Sequence, residues 1–245
     1  CTQLGTDQNT ANDCLQKEVS VSSAYWSSGS VIPSTAITYM GSGVALNGFL
    51  YSIGGNTNSG LNTEAAKYNV ATDTWTPIAP LPAGRGVFAT AAVGNYVYAI
   101  GGYDLASACQ ATVYRYDIVG DTWSTVASLP VTLAWAKAVA YNNNYIYVAG
   151  GYDCAAVVQT VYLYNISTDT WTTATPMPAA RFGGAFGISG NKLVYVAGVD
   201  LTLLYTDVYV GTIDGTDPSI ITWATMMNPY PGSGNETYSF YRGKM

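Results

Sequence analysis

The sequence predicts an all-β chain built as a five-bladed β-propeller with four antiparallel strands per blade, and three observations predict it. Trp residues stand at 26, 75, 123, 171 and 223, at intervals of 49, 48, 48 and 52. Each leads into a proline exit: WSSGSVIP, WTPIAPLP, WSTVASLP, WTTATPMP and WATMMNPYP. Paired glycines recur at Gly54-Gly55, Gly101-Gly102 and Gly150-Gly151, with a degraded copy at Gly198-Val199, and Tyr68, Tyr116 and Tyr164 each precede a Trp by seven positions. Four short strands in a repeat of about 50 residues make one propeller blade.

The strands of a unit can be justified in order. The first is small and apolar, as in GVFATAAV at 86–93, and the second, YVYAIGG, ends in the paired glycines. Glycine there lets neighbouring blades approach where a side chain would clash. The third strand carries the Tyr, as in TVYRYD, and the fourth opens on the Trp. These rings are expected to fill the wedge between blades, each with a large apolar burial. One blade cannot bury both its faces, so the core belongs to the array. Between the third and fourth strands, ATDTW, VGDTW and STDTW place Asp73, Asp121 and Asp169 in a turn, where each is expected to bond nearby backbone amides. The three stretches look somewhat like the Asp boxes of sialidases but lack the interior glycine.

Double glycine, then Tyr, then Trp at these spacings closely resembles the kelch motif, over nearly the whole chain. The resemblance implies a kelch-type β-propeller whose first strands line the central channel.

Complete blades are expected at about 34–82, 83–130, 131–178 and 179–231. The fifth is composite. Residues 232–245 supply its inner strand and 1–33 its outer three, because the repeat phase survives passage from Met245 to Cys1, with a Trp interval of 48 across the join. Such a blade closes a ring and removes exposed sheet edges. The same strand donated to a neighbouring molecule would build a head-to-tail filament, and a piece of a longer repeat array would also keep this phase.

Composition narrows the function. Charged residues are 10% against a usual figure of about 25%, and the 21 Tyr make the chain too aromatic for disorder. A net charge of −6 with no basic cluster argues against nucleic acid. No membrane span is expected: the best stretch, 86–102, is broken by Gly94-Asn95 and falls short of the roughly 20 residues a helix needs. The chain begins at Cys1 with no signal peptide in view, as a processed mature chain would. Four cysteines and the sequons at Asn165 and Asn235 lean toward an extracellular or cell-surface glycoprotein. Cys109 and Cys154 occupy equivalent loops of adjacent blades and are expected to pair. Cys1 and Cys14 lie at opposite ends of antiparallel strands, beyond the roughly 7 Å a disulfide spans, so Cys1 would be lipidated or bridge to another chain.

No catalytic residue, metal site or cofactor is expected. Without any His, a Ser-His-Asp triad, a Cys-His dyad and an imidazole metal site are excluded, and with them the copper chemistry of galactose-oxidase-like kelch enzymes. Candidate ligand residues gather on one face of the blades. Asp7, Asp104, Asp153 and Asp200 open the loops between second and third strands, where Thr57 stands in the first complete blade. Four carboxylates could draw Ca²⁺ or a cationic group, or each could cap its own loop. Arg85 and Arg181, three residues after proline in LPAGR and MPAAR, enter inner strands on that face. There they would take acidic groups or pair with Asp104 or Asp200. In kelch proteins, the resemblance implies, this face binds partners. Trp135, Tyr103 and Tyr152 fall outside the packing pattern and would suit stacking on sugar rings. The expected function is a non-enzymatic extracellular binding or structural module, acting on another protein or on itself. The alternatives are a carbohydrate-binding propeller and a glycan-active enzyme.

Overall fold

A computed structural model describes residues 29–32, 37–38, 44–57 and 60–227. Asp7, Cys1, Cys14, Trp26, Asn235 and all of the composite blade but residues 29–32 lie outside the described residues. All the strands below belong to residues 31–245, the larger of two units into which the chain divides.

Every regular element among the described residues is a strand. The first sheet holds β1 (Ile37–Thr38), β2 (Val44–Leu46), β3 (Phe49–Thr57), β4 (Gly60–Asn69) and β5 (Thr74–Ile78), with β1 and β2 both pairing with β3 along one edge. The second runs β6 (Ala89–Val93), β7 (Tyr96–Ile100), β8 (Val113–Asp117) and β9 (Thr122–Val126). The third runs β10 (Lys137–Tyr141), β11 (Tyr145–Ala149), β12 (Val161–Asn165) and β13 (Thr170–Ala174). The fourth runs β14 (Ala185–Ser189), β15 (Lys192–Val196), β16 (Val208–Ile213) and β17 (Ile221–Thr225). The last three sheets, and β2 to β5 of the first, are antiparallel meanders of consecutive strands, and the inner strands β2, β6, β10 and β14 lie beside one another in chain order. These are the blades of a propeller.

Tyr and Trp face each other across each third–fourth strand pair, at Tyr68↔Trp75, Tyr116↔Trp123 and Tyr164↔Trp171, with ring centroids 5.0, 5.2 and 4.9 Å apart. The fourth sheet pairs Gly211 with Trp223 instead, and a Cβ on Gly211 would sit 2.8 Å from that indole. Tyr116 and Tyr164 are fully buried in apolar clusters that combine adjacent sheets, while the indoles are half-buried at the margin. Three of the indole N–H groups reach the preceding blade: Trp123 donates to the Ala79 carbonyl at 2.8 Å, Trp171 to Ala127 at 2.8 Å and Trp223 to Thr175 at 3.1 Å.

The Asp turns correct one expectation. Asp121 accepts the Ala79 N–H, 42 residues back in the preceding blade, and the Tyr116 hydroxyl; Asp169 does the same with Ala127 N–H and Tyr164. The nearby amides are capped by other residues: Asn69 takes Ala71, Asp117 takes Val119 and Gly120, and Asn165 takes Ser167 and Thr168. Asp121 and Asp169 are therefore staples between blades. They lie at φ 48° and 54°, a left-handed corner that aims the carboxylate away from its own turn.

Both carboxyls are held below the ordinary carboxylate range. The Ala79 amide and then the Tyr116 hydroxyl act on Asp121; the Tyr164 hydroxyl and then the Ala127 amide act on Asp169. A folded-state pKa below the unfolded one means that the unfolded chain takes up protons first. The staples' contribution is complete above the unfolded value near about 4 and is lost as pH falls through the lowered values. The melting temperature should fall on acidification below about pH 4, and the double variant Asp121→Asn/Asp169→Asn should flatten that slope. Parallel acid profiles in calorimetry would show that these carboxylates are not the linked groups.

Candidate functional site

The loops before the inner strands and those between second and third strands meet on one face. There the bridges Gly86↔Tyr103, Ala134↔Tyr152 and Phe182↔Val199 join them in three successive blades. The paired glycines set this junction. Gly55, Gly102 and Gly151 donate their N–H to the carbonyls of Arg85, Leu133 and Arg181 in the next blade, at 2.9, 2.8 and 2.9 Å. In the fourth blade the pair is Ala197-Gly198 and not Gly198-Val199. Ala197 donates to Asp207 as Gly101 and Gly150 donate to Thr112 and Thr160, and Ala197 holds φ 60°.

Asp104, Asp153 and Asp200 each cap their own loop. Asp104 accepts the amides of Ala106 and Ala108 and the Gln110 side chain; Asp153 accepts Ala155 and Ala156. Asp200 accepts Thr202 N–H, Thr202 hydroxyl and Leu203 N–H on one oxygen and the Tyr205 hydroxyl, at 2.6 Å, on the other. That hydroxyl, followed by the loop amides, holds the Asp200 carboxyl well below the usual carboxylate range. Among the described residues no group of three or more acidic or sulfur side chains converges as a metal site would require.

The two arginines sit at equivalent places and differ in their company. Arg181 is buried, pairs with Asp207 at 3.0 Å, donates to the Tyr209 hydroxyl at 3.2 Å and stacks 3.4 Å from the Tyr205 ring centroid. Its carboxylate is thus Asp207 and not Asp200, whose oxygens the loop already uses. Arg85 is 7% exposed, and its one hydrogen bond runs from Nη1 to the Gly84 carbonyl at 3.2 Å. Its Nε has no partner, its guanidinium lies 5.7 Å from the Tyr114 ring centroid, and among the described residues no carboxylate reaches it. The reason is legible in the repeat: Thr112 stands where the fourth blade has Asp207, and Gln110 where it has Tyr205.

Cys109 and Cys154 form a disulfide with Cα atoms 5.8 Å apart, joining the loops of adjacent blades. Beside it, Tyr103, Trp135, Tyr152 and Phe182 line a concavity of about 490 Å³ with the loop Gly198–Leu204. Sequence reasoning singled out three of these rings and missed Phe182, which only an alignment of the units against Gly86 and Ala134 exposes. It also missed Asp207 and Tyr205, because the repeat holds other residue types there. Asn165, the described sequon, caps its turn through Oδ1.

Repeated four-stranded blades, glycine-dependent junctions and Tyr–Trp wedges define a kelch-repeat β-propeller. The family model described as the KLHDC2/KLHL20/DRC7 Kelch-repeats domain matches residues 38–228, and the chain belongs to that family. It is similar to the solved structure of YjhT, with a TM-score of 0.69 and 19% identity over 83% of this chain and 69% of that one, a likeness in fold. No curated protein sequence matches it.

Proposed function

We propose that the chain is a non-enzymatic protein-binding module whose loop face receives an acidic group of its partner on Arg85. The observation that carries this reading is a guanidinium 7% exposed that no carboxylate of the described residues reaches, beside an equivalent arginine, also with a bare Nε, that has a carboxylate of its own. A buried charge without a counterion is unfavourable, and a carboxylate supplied from outside would relieve it through a bidentate, charge-assisted pair. Membership of the kelch-repeat family supports a protein partner over a small substrate.

Peptide display against the folded protein is expected to select sequences holding Asp or Glu. Arg85→Met should weaken each selected peptide by at least about tenfold, since a hydrogen bond to a charged group contributes about 1.5–3 kcal/mol. Arg181→Met, whose partner is internal, should lower stability and leave the selected chemistry unchanged. Peptides without acids that bind wild type and Arg85→Met equally would refute the reading.

The Cys109–Cys154 disulfide and the Asn165 sequon support an extracellular setting. We propose five blades, the complete ones over about 34–82, 83–130, 131–178 and 179–231, with 232–245 and 1–33 composing the fifth, because the repeat phase continues across the join. Closure within one chain gives a disc and donation of the terminal strand gives a fibre; an image of the purified particle distinguishes them.

A further inference from the structure

The concavity on the loop face is built by residues that break the repeat. Where inner strands begin, the repeat uses small side chains: Gly86 and Ala134 at one position, Val87 and Gly183 at the next. Phe182 and Trp135 replace them with large rings at those same two positions. Trp135 holds φ 62°, a conformation rare for a bulky residue. Its N–H on the Val87 carbonyl and its own carbonyl, which accepts the Gly183 N–H, fix it there. The indole meets Tyr103 at 6.3 Å and 79° and Phe182 at 6.0 Å and 55°, so the ring planes tilt against one another as the sides of a cup do. Tyr152 adds a fourth wall, and all four rings are half-buried with part of their surface open.

Charge and hydrogen-bonding capacity then decide what the cup takes. Its lining holds one charged side chain, Asp200, and Asp104 and Asp153 open the neighbouring loops on the same face. The nearest arginine in sequence, Arg181, is neutralised by Asp207. Of the loop's polar groups, both Asp200 oxygens and the Thr202 hydroxyl are occupied within the loop. The lining offers ring faces, the Tyr103 and Tyr152 hydroxyls and a fixed negative charge. Four rings beside a fixed negative charge favour a cation, and a quaternary ammonium suits the ring faces.

We infer that the cup of Tyr103, Trp135, Tyr152 and Phe182 binds a small quaternary ammonium ion such as choline. The site is separate from Arg85 and stands whether or not that residue receives an acidic partner.

Calorimetric titration of the whole chain with choline chloride and with its neutral carbon isostere, 3,3-dimethylbutan-1-ol, tests it. Choline should bind with a Kd on the order of 1 mM, and the isostere at least about threefold more weakly, because it lacks the charge that the ring faces attract. Phe182→Leu keeps an apolar wall and removes a π face, so it should weaken choline by about threefold and leave the isostere unchanged. Its melting temperature should match wild type, which separates this loss from misfolding. Equal affinity for choline and the isostere would make the cup a plain apolar hole and overturn the assignment. Absence of choline binding at about a hundred times that Kd would do the same, and so would maltotriose binding in its place.

Discussion

Gly101→Ala is expected to destabilise the protein by at least about 3 kcal/mol, while Gly94→Ala, at a similar backbone angle, should cost only about 1–2 kcal/mol. Both glycines are left-handed, at φ 67° and 58°. A Cβ on Gly94 would meet nothing within 4 Å, whereas on Gly101 it would run into the Leu133 backbone carbonyl of the next blade. That carbonyl accepts the Gly102 N–H and cannot retreat without breaking the junction. The fourth blade carries Ala197 in the same left-handed corner, so the angle alone does not exclude a side chain. What excludes it at Gly101 is the neighbouring blade. Equal losses for the two variants in chemical denaturation would show that the junction yields to a methyl group.

Trp123→Ala should cost about 3 kcal/mol, toward the lower end of the range for large aromatic deletions, because the indole is half-buried. Two contributions combine. The ring packs on buried Tyr116, 5.2 Å between centroids, in the cluster that joins the first two blades, and its N–H satisfies the Ala79 carbonyl. Trp123→Phe keeps most of the packing and deletes the donor, so it should cost about 1 kcal/mol. If Trp123→Ala lost under about 1 kcal/mol, the ring would not be holding the blades together.

The architecture was legible because the residues that set the repeat are the ones that touch the next blade. A Trp every 48 or so residues and paired glycines are physical requirements of the junction, and their spacing is the blade's length. Asp121 and Asp169 show the limit. Their local sequence says turn, and their partners at Ala79 and Ala127 lie 42 residues away, where no local pattern points. The site was legible as a set of types and positions: the Asp loops, both arginines and three of four rings. The division of labour between Arg85 and Arg181 was not, since it depends on Asp207 and Thr112, two residues unremarkable until the strands are superposed.

The Cys109–Cys154 bond has a consequence for damage. It closes a loop one blade long, and within that loop lies the exposed turn Asn142–Asn144, whose first two residues are left-handed. A protease, or chemical scission at asparagine, would find that turn readily. One cut there releases no fragment. Each half keeps one of the two cysteines, so the nicked chain migrates as a single species until it is reduced. The blades beside the aromatic cup stay tethered after the cut.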